Sequence, residues 1–444
     1  MRKTKQVIIG NSAAALSALR AIRKNDCSSS VTLVSAEDCD AYSPVLTTYY
    51  ISHKITRRDL FIADAKFYRD YDIQTKLGSK VIGIETNRQK IHMDDNSIVE
   101  YDNLLIATGA SPRMEDNIDA EALEYVSSLR TIKDADKIIK ISEQAKDIVI
   151  IGAGLVSLQI AGAVLREGVK VTLVVGSNQV LSQNLDAKFA AVVQERLESQ
   201  GIVLLFNQRV QAITRENDRA CVYLESGEKL RADLVAVGKG LNPNIEFITG
   251  SDIKVNRGVL VDDLMKTSIE NIFAAGDVAE GHNSISGRTE VIATWPNACT
   301  QGEVAGYNMA GYPTKRESQF KENITTVMGL PITSIGLSRS MRGDFEELLY
   351  HNPDAGVYRR ILVDNNRVIG AVILGDVGGV GFLRYCIEKK VDITPWREHF
   401  VSKQLGFDEI ICQQLSIPKS ELKNIVATLP VNDSMIGIPL IKCQ

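Results

Sequence analysis

A glycine followed by small residues near the start of the chain has the chemistry of a phosphate-binding turn. The run Val-Ile-Ile-Gly-Asn-Ser-Ala-Ala-Ala-Leu keeps only the first glycine of the dinucleotide template GxGxxG, Gly10. Ser12, Ala13 and Ala14 add little bulk, so backbone N–H groups can still approach a pyrophosphate at a helix N-terminus. Glu37 follows the next apolar run, where a carboxylate accepts the ribose hydroxyls of an adenosine. The alternatives are an ordinary strand-to-helix turn at Gly10 and a solvated loop carboxylate at Glu37.

The same unit occurs a second time. The run Ile-Val-Ile-Ile-Gly-Ala-Gly-Leu-Val-Ser keeps two of the three glycines, Gly152 and Gly154, with Val156 in the turn that follows. Each unit is followed about 20 residues later by Val-Thr-Leu-Val, at residues 31–34 and 171–174. The sequence therefore predicts two dinucleotide sites. The alternative for the second unit is a degenerate fold that only scaffolds the chain.

Short apolar runs rich in β-branched residues alternate with helical stretches through the first 312 residues. Continuous runs of this kind are typical of parallel sheets that are covered on both faces. We therefore predict an α/β fold with two Rossmann-like dinucleotide-binding domains. The runs are residues 7–9, 31–34, 104–106, 148–151, 171–174, 234–237 and 272–274.

The pattern changes near Tyr312, where glycine turns stop and alternating polarity begins. Asn365 and Asn366 lie between two strand-like runs, which indicates a hairpin. We predict a separate C-terminal α+β interface domain. Residues 401–444 form an extension with apolar residues at irregular spacing, expected either to dock a partner or a second copy, or to pack on its own domain. The expected divisions are 1–112 with 240–312, then 113–239, 313–400 and 401–444.

Composition and charge exclude several classes of protein. The chain has 51 Lys+Arg and 55 Asp+Glu, a net charge of −4 without a basic block, so nucleic acid is not an expected partner. The seven cysteines are scattered without a CxxC pair, which favours a reduced, cytoplasmic chain over a disulfide framework or a metal site. No membrane association is expected, because no transmembrane run is present. The basic, then apolar start resembles a secretory signal, but the strand–turn–helix pattern continues past it.

Two further segments complete an ordered set of motifs. One buried run ends in Ala-Thr-Gly, at Thr108 and Gly109, and another ends in Ala-Gly-Asp, at Gly276 and Asp277. Together with the two glycine turns, these segments resemble the pyridine nucleotide-disulfide oxidoreductase family of flavoproteins, over about residues 5–400. The resemblance implies FAD in the first unit, where the Ala-Thr-Gly strand borders the flavin and Asp277 binds the ribityl and pyrophosphate region. It implies NAD(P)H in the second unit.

Three segments are similar to one branch of that family. The branch holds NADH oxidases, coenzyme A-disulfide reductases, rubredoxin reductases and the flavin region of assimilatory nitrite reductases. The resemblance implies that Pro44 and Trp295 lie near the isoalloxazine. We also expect Val81 to line the FAD site and Gly238 to line the nicotinamide-nucleotide site. The three segments are residues 40–55, 295–311 and 368–376.

The chain departs from this branch at the flavin. NADH oxidases and coenzyme A-disulfide reductases place a redox cysteine where this sequence has Val45. A valine has no thiolate, so thiol–disulfide exchange at the flavin is not available. Cys39 lies six residues earlier and is expected to be structural.

The chain also departs from the family at the nicotinamide-nucleotide site. Gln159 stands in place of a glutamate, and Val175 in place of the acidic residue that reads the adenosine ribose. Ser177 or Asn178 could hydrogen-bond the ribose instead, and no arginine follows that would accept a 2′-phosphate. The choice between NAD and NADP stays open.

These expectations combine into one function with two alternatives. We expect an FAD-dependent NAD(P)H:acceptor oxidoreductase that passes electrons to, or takes them from, rubredoxin, a ferredoxin-like protein or an iron–sulfur subunit. The alternatives are an NAD(P)H oxidase that reduces oxygen, and an FAD electron-relay subunit of a larger complex with a degenerate nicotinamide site. We expect no catalytic general base and no metal site, and a homodimer or a hetero-oligomeric complex is compatible with the sequence.

Overall fold

The structure is a computed structural model that describes residues 3–338 and 345–402. All but the first two residues of the extension expected at 401–444 lie outside the described residues. The strands, in chain order, are β1 (Lys5–Ile9), β2 (Ser30–Ser35), β3 (Ile73–Leu77), β4 (Val81–Glu85), β5 (Lys90–Met93), β6 (Ile98–Glu100), β7 (Asn103–Ile106), β8 (Ala110–Pro112), β9 (Val126–Ser127), β10 (Asp147–Ile151), β11 (Lys170–Val175), β12 (Val203–Phe206), β13 (Val210–Glu216), β14 (Arg219–Leu224), β15 (Lys229–Ala232), β16 (Leu234–Val237), β17 (Leu241–Pro243), β18 (Val259–Leu260), β19 (Ile272–Ala274), β20 (Ala279–His282), β21 (Thr289–Val291), β22 (Glu322–Val327), β23 (Leu330–Gly336), β24 (Glu346–Asn352), β25 (Val357–Asp364) and β26 (Arg367–Leu374).

Helices cover the parallel sheets and one end of the C-terminal sheet. They are α1 (Ala13–Asn25), α2 (Thr47–Ile51), α3 (Ala65–Asp70), α4 (Ile132–Ser142), α5 (Leu155–Val164), α6 (Ala187–Ser199), α7 (Trp295–Met309), α8 (Val380–Glu388) and α9 (Arg397–Phe400). Within the described ranges, no helix combines the length and the apolar character needed to cross a bilayer.

Two five-stranded parallel sheets form the centre of the molecule. The first has the order β19-β7-β1-β2-β3, and the second has the order β12-β11-β10-β16-β9. β1 pairs with β2 as β10 pairs with β11, with Val7 opposite Thr32 and Val149 opposite Thr172. All seven predicted apolar runs lie within strands of these two sheets. The predicted α/β class with two Rossmann-like units is therefore confirmed.

The chain passes between the two parallel sheets along a short antiparallel pair. β8, which follows β7, pairs with β17, which follows β16, and Ser111 lies opposite Asn242. Because one strand leads out of the first sheet and the other leads back, the carboxyl ends of β7 and β16 are held near each other. Ligands of open α/β sheets bind at such carboxyl ends.

The C-terminal part is an antiparallel sheet with the order β22-β23-β26-β25-β24. β25 and β26 form the predicted hairpin, and Asn365 and Asn366 both have left-handed backbone, with φ of +47° and +60°. Two such residues are what a tight two-residue hairpin turn requires, and asparagine tolerates them. The hairpin prediction is confirmed.

Helices α1 and α7 cross at unusually short range on one face of the first sheet. A Cβ added at Gly302 would lie 2.1 Å from the backbone oxygen of Ala14, and one at Gly306 would lie 2.3 Å from that of Ala18. Glycine on one helix and alanine on the other allow this approach. It places the middle of α7 beside the first turn of α1.

Candidate cofactor sites

The first glycine turn has the geometry of a pyrophosphate cradle. Gly10 has a φ of +124°, and a Cβ there would lie 2.1 Å from the backbone oxygen of Ala107. The Gly10 N–H donates to the Val34 carbonyl at 2.7 Å, which fixes the turn against β2. Ser12 is the N-cap of α1, and Ala13 and Ala14 begin the helix. The first N–H groups of a helix have no partner within it, so this end can receive an anion.

The Ala-Gly-Asp motif lies at the same edge of the sheet. Gly276 has a φ of +85°, and a Cβ there would lie 3.3 Å from that of Ala14. The next residue, Asp277, accepts a hydrogen bond from Arg130 Nη2 at 2.8 Å. The same Nη2 lies 3.2 Å from the position of a Cβ on Gly109. The structure therefore brings the Gly276–Asp277 turn close to Gly109, which is distant from it in the sequence.

Arg130 was not found from the sequence. It precedes α4, whose first turn carries a capping box between Thr131 and Asp134, and the Arg130 N–H donates to Asp134 Oδ2 at 2.9 Å. That box is visible in the sequence and predicts a fixed helix start. It does not predict that the arginine before it faces Asp277.

Asn244 was also missed. Its Nδ2 donates to the Thr108 carbonyl at 2.9 Å, and its N–H donates to the Gly109 carbonyl at 3.0 Å. The Thr108 hydroxyl donates in return to the Asn244 carbonyl at 2.9 Å. Asn244, directly after the returning strand β17, thus holds the Ala-Thr-Gly segment in place.

Glu37 stands just after β2, as predicted, and is half-buried. Its Oε2 accepts from the Tyr42 hydroxyl at 2.7 Å, and its carbonyl accepts from the Gly78 N–H at 3.0 Å. Burial and then the Glu37 charge raise the pKa of Tyr42, so this phenol stays a donor. Val81 follows the Gly78 turn and is buried against the same end of the sheet. Glu37 is therefore engaged by the protein on two sides and is not a carboxylate that only faces solvent.

The segment after β2 carries no thiol at the expected position. Pro44 begins a single 3-10 turn, Pro44–Leu46, and Val45 is 53% exposed. Burial, and then the negative charge of Glu37, raise the pKa of the Cys39 thiol. The Cys39 carbonyl accepts from Asn11 Nδ2 at 3.3 Å, which ties this loop to the first glycine turn. Neither position therefore offers a ready thiolate.

Trp295 begins α7 and is half-buried. Cys299 lies one turn further on, and burial raises the pKa of its thiol. Trp295 and Cys299 both pack on the core that contains α1 and the carboxyl end of the first sheet. The helix start is therefore adjacent to the residues that would surround a flavin.

The second glycine turn repeats the first. Gly152 has a φ of +104°, and a Cβ there would lie 2.4 Å from the Gly238 backbone oxygen. A Cβ on Gly238 would in turn lie 2.1 Å from the Ser157 hydroxyl, which donates to the Gly238 carbonyl at 3.3 Å. Gly154 is the exposed N-cap of α5, and Val156 in its first turn is 44% exposed. The cradle is open, as a dinucleotide site requires.

The two departures at the second site have different surroundings. Gln159 Nε2 donates to the Thr325 hydroxyl at 2.6 Å, across to β22 of the C-terminal sheet. Val175 is buried at the end of β11. The Ser177 hydroxyl donates to the Gln179 carbonyl at 2.8 Å, so it can serve a ribose as an acceptor. The residues directly after β11 provide polar but uncharged contacts.

Two family sequence patterns match this chain. The sequence pattern described as "Pyridine nucleotide-disulphide oxidoreductase" matches residues 4–302. The chain belongs to this family. The pattern "Rubredoxin NAD+ reductase C-terminal domain" matches residues 323–391 of the oxidoreductase. The family resemblance drawn from the motifs is therefore confirmed, including the branch.

The relatives are proteins of several activities. The NADH-dependent phenylglyoxylate dehydrogenase subunit epsilon of Aromatoleum evansii is 29% identical over 413 residues, which cover 93% of this chain and 98% of that one. The rubredoxin-NAD(+) reductase of Pseudomonas putida is 30% identical over 311 residues, covering 69% and 80%. The chain spans only 56% of the assimilatory nitrate reductase electron transfer subunit of Bacillus subtilis.

A solved structure gives the same fold. The covalent putidaredoxin reductase–putidaredoxin complex has a TM-score of 0.84 at 22% identity, over 96% of this chain and 100% of that one. As a member of the family, the chain is an FAD-dependent oxidoreductase that uses a nicotinamide nucleotide. The residues present fit both groups, since each glycine turn is a cradle that a Cβ would fill.

Within residues 3–338 and 345–402, no group of three or more His, Cys, Asp and Glu side chains is placed to hold a metal ion.

Proposed function

We propose that this protein takes hydride from NAD(P)H and passes electrons singly to a protein acceptor that carries iron. The observation that supports this most is Val45. It leaves an exposed aliphatic side chain where relatives with thiol chemistry would keep a cysteine, and the thiols of Cys39 and Cys299 both have a raised pKa. Bound FAD supplies the ability to accept two electrons together and to release them one at a time. Electrons then have no thiol through which to pass.

The comparisons favour a protein acceptor over oxygen. One relative matched along nearly its whole length is named as a subunit of an NADH-dependent dehydrogenase, and another is named for rubredoxin. We propose that this chain likewise serves a rubredoxin, a ferredoxin-like protein or an iron–sulfur subunit, in the cytoplasm. Electron flow in the opposite direction, toward NAD(P)+, uses the same residues.

We propose that FAD is held by residues 1–112 and 240–312, and the nicotinamide nucleotide by residues 113–239. At the first site, the α1 N-terminus with Ser12, Ala13 and Ala14 would bind the pyrophosphate. Glu37 would bind the adenosine ribose, and Asp277, held by Arg130, would bind the ribityl chain. Pro44, Val81, Thr108, Gly109, Gly276 and Trp295 would line the remainder, and Gly152, Gly154, Val156 and Gly238 would line the second site. Residues 313–400 would form the interface domain.

A second candidate is an FAD relay subunit without nicotinamide chemistry. Val175 favours it, because a buried valine offers no polar group to a ribose. Gln159 supports it less, because its amide is used in a hydrogen bond to Thr325 of the C-terminal sheet.

The experiment that separates these functions is anaerobic titration of the purified protein with NADH and with NADPH. Bleaching of the flavin absorbance within seconds supports the oxidoreductase, and its absence with both nucleotides supports the relay subunit. Bleaching followed by rapid peroxide formation on mixing with air, with no transfer to an added rubredoxin or ferredoxin, would support an oxidase instead.

The FAD site is tested by Asp277→Ala. We expect the variant to be purified with little flavin, because the carboxylate beside Arg130 is lost. Asp233→Ala is the matched control, since Asp233 also pairs with an arginine, Arg219, but in the second unit. Full flavin occupancy in Asp277→Ala would contradict the assignment.

A further inference from the structure

A buried glutamine on α7 contacts the turn that carries Asp277. Gln301 is fully buried, and its Oε1 accepts a hydrogen bond from the Gly276 N–H at 2.7 Å. Gly276 is itself buried, in left-handed backbone, directly before Asp277. A backbone N–H in such a place needs an acceptor, and helix α7 provides it. The side chain thus determines which way the Gly276 peptide faces.

The other end of the same amide is also used. Gln301 Nε2 donates to Gln319 Oε1 at 3.3 Å, and Gln319 is 4% exposed. The Gly276 N–H can donate only to the amide oxygen of Gln301, so the amide nitrogen of Gln301 faces Gln319. Gln319 must then accept through its own amide oxygen. One backbone donor therefore fixes the orientation of two buried amides.

Gln319 is held in place from a third direction. It lies in the segment between α7 and β22, and its carbonyl accepts from the Ser284 N–H at 2.9 Å. The Ser284 hydroxyl accepts from the Gln319 N–H at 3.2 Å. The chain of contacts runs from the Asp277 turn through Gln301 and Gln319 to the segment that enters the C-terminal sheet. Gln319 Nε2 is buried and has no acceptor within the described residues, so the hydrogen-bonding groups of the two amides are not all paired.

We propose that Gln301 is a positioning residue for the FAD site and that Gln319 orients it. This rests on the proposed FAD site. The pair sets the Gly276 peptide so that Asp277 faces its ligand before FAD binds. It also links the FAD site to the segment leading into the C-terminal sheet. A site that is set in advance loses less freedom on binding and binds more tightly. Glutamine suits this position because the turn needs an acceptor while Gln319 needs a donor.

The alternative is that Gln301 only fills space between α7 and the sheet. Gln6 gives the matched control for that alternative. It is 1% exposed, lies in β1 at the end of the strand opposite Gly10, and its Nε2 donates to the Met309 carbonyl at 3.1 Å. Gln6→Leu and Gln301→Leu therefore each remove a buried amide that contacts or belongs to α7, but only Gln301 touches the Asp277 turn.

The test is a dilution series of the purified holoprotein, in which FAD release is followed by flavin fluorescence and the near-UV and visible circular dichroism of the bound flavin is recorded. We expect Gln301→Leu to raise the Kd for FAD about tenfold or more and to alter the flavin dichroism. We expect Gln6→Leu and Gln301→Leu to lower the thermal midpoint of unfolding by similar amounts. Gln6→Leu should nevertheless leave the Kd for FAD within about twofold of the wild-type value. Gln301→Glu keeps an acceptor for the Gly276 N–H but loses the donor to Gln319 Oε1, so we expect its Kd to lie between those of the wild type and Gln301→Leu.

Gln319→Leu tests the orienting role, with an expected rise in Kd of about threefold, smaller than that of Gln301→Leu. A Kd for Gln301→Leu no larger than that of Gln6→Leu would overturn the proposal. If Gln301→Leu does not fold, Gln319→Leu decides, and an unchanged Kd and dichroism there would overturn it as well. Asp277→Ala in the same series separates failure of the proposed FAD site from failure of the proposed role of Gln301. If Asp277→Ala keeps its FAD, the assignment of the FAD site is wrong. If only Asp277→Ala loses FAD, the site assignment stands and the positioning role of Gln301 is wrong.

Discussion

Replacement of Gly302 by alanine tests whether the crossing of α1 and α7 holds the first glycine turn in place. The added Cβ would lie 2.1 Å from the Ala14 oxygen and 2.7 Å from the Ala14 carbonyl carbon. Ordinary van der Waals contact begins at 3.4 Å, so the helices would have to separate by about 1 Å. The opposing atoms belong to the backbone, which cannot rotate away as a side chain can.

Two opposing effects set the magnitude. Glycine in a helix interior is less favourable than alanine by about 1 kcal/mol, which would stabilise the variant. Overpacking in a core costs about 1–3 kcal/mol and more where the backbone must move. The steric effect is larger here, so we expect a net loss of about 2 kcal/mol in the free energy of unfolding. Because α1 begins at Ala13 beside the Gly10 turn, the same displacement should lower the affinity for FAD.

The assay is thermal unfolding together with the flavin content of the purified protein. Gly162→Ala is the control, because Gly162 lies in α5 and a Cβ there would meet only the flexible end of Met328 at 3.6 Å. We expect that variant to be as stable as the wild type or more stable, with full flavin. A Gly302→Ala protein that matches Gly162→Ala in both midpoint and flavin content would refute the close crossing.

Three further predictions follow from individual residues. Dithionite titration should consume two electrons per FAD without a long-wavelength thiolate–flavin band, because Val45 replaces the thiol and Cys39 and Cys299 have raised pKa values; four-electron uptake would contradict this. NADH and NADPH should reduce the flavin at rates within about tenfold of each other in stopped-flow measurements, since no charged contact to the ribose replaces an acid at Val175; a hundredfold preference would contradict it. Burial opposes ionisation of Asp26, but hydrogen bonds from the following loop outweigh burial and lower the pKa of this carboxyl to about 2. The ionised Asp26 therefore stabilises the fold above about pH 4, and this stabilisation is lost as the pH falls toward 2. The thermal midpoint of Asp26→Asn should therefore fall less steeply than that of the wild type over that range.

The centre of the fold could be predicted because parallel strands covered on both faces must be apolar throughout. β1, β7, β10 and β16 are of this kind, and their runs stand out in the sequence. Edge strands do not follow that rule. β3 reads Ile-Gln-Thr-Lys-Leu with an exposed middle and was not predicted, since one side of this edge strand faces solvent. β9 was not predicted because its two residues, although buried, are too few to form a recognisable apolar run.

The candidate site could be predicted only where backbone conformation dictates residue type. Positive φ requires glycine at positions 10, 152 and 276, and a backbone oxygen also approaches the first two closely, so these positions leave a motif. Arg130 and Asn244 act through side chains whose partners lie 147 and 136 residues away. Nothing local distinguishes them from a surface arginine or a loop asparagine, because their role depends on the order of the strands.

Gln159 shows why a residue type by itself does not settle the state of the second site. Compared with a nucleotide-binding glutamate, the glutamine suggests a site that has lost its function. In the structure its amide donates to Thr325, and Arg360 on β25 pairs with Asp186 at the start of α6. Both contacts join the second unit to the C-terminal sheet. A glutamate could not donate to Thr325, although the hydroxyl could reverse and donate to it. The residue at 159 is therefore constrained by the domain interface as well as by any nucleotide. Its identity is therefore weaker evidence for a degenerate site than the buried valine at 175, which offers no polar side-chain group to an adenosine ribose.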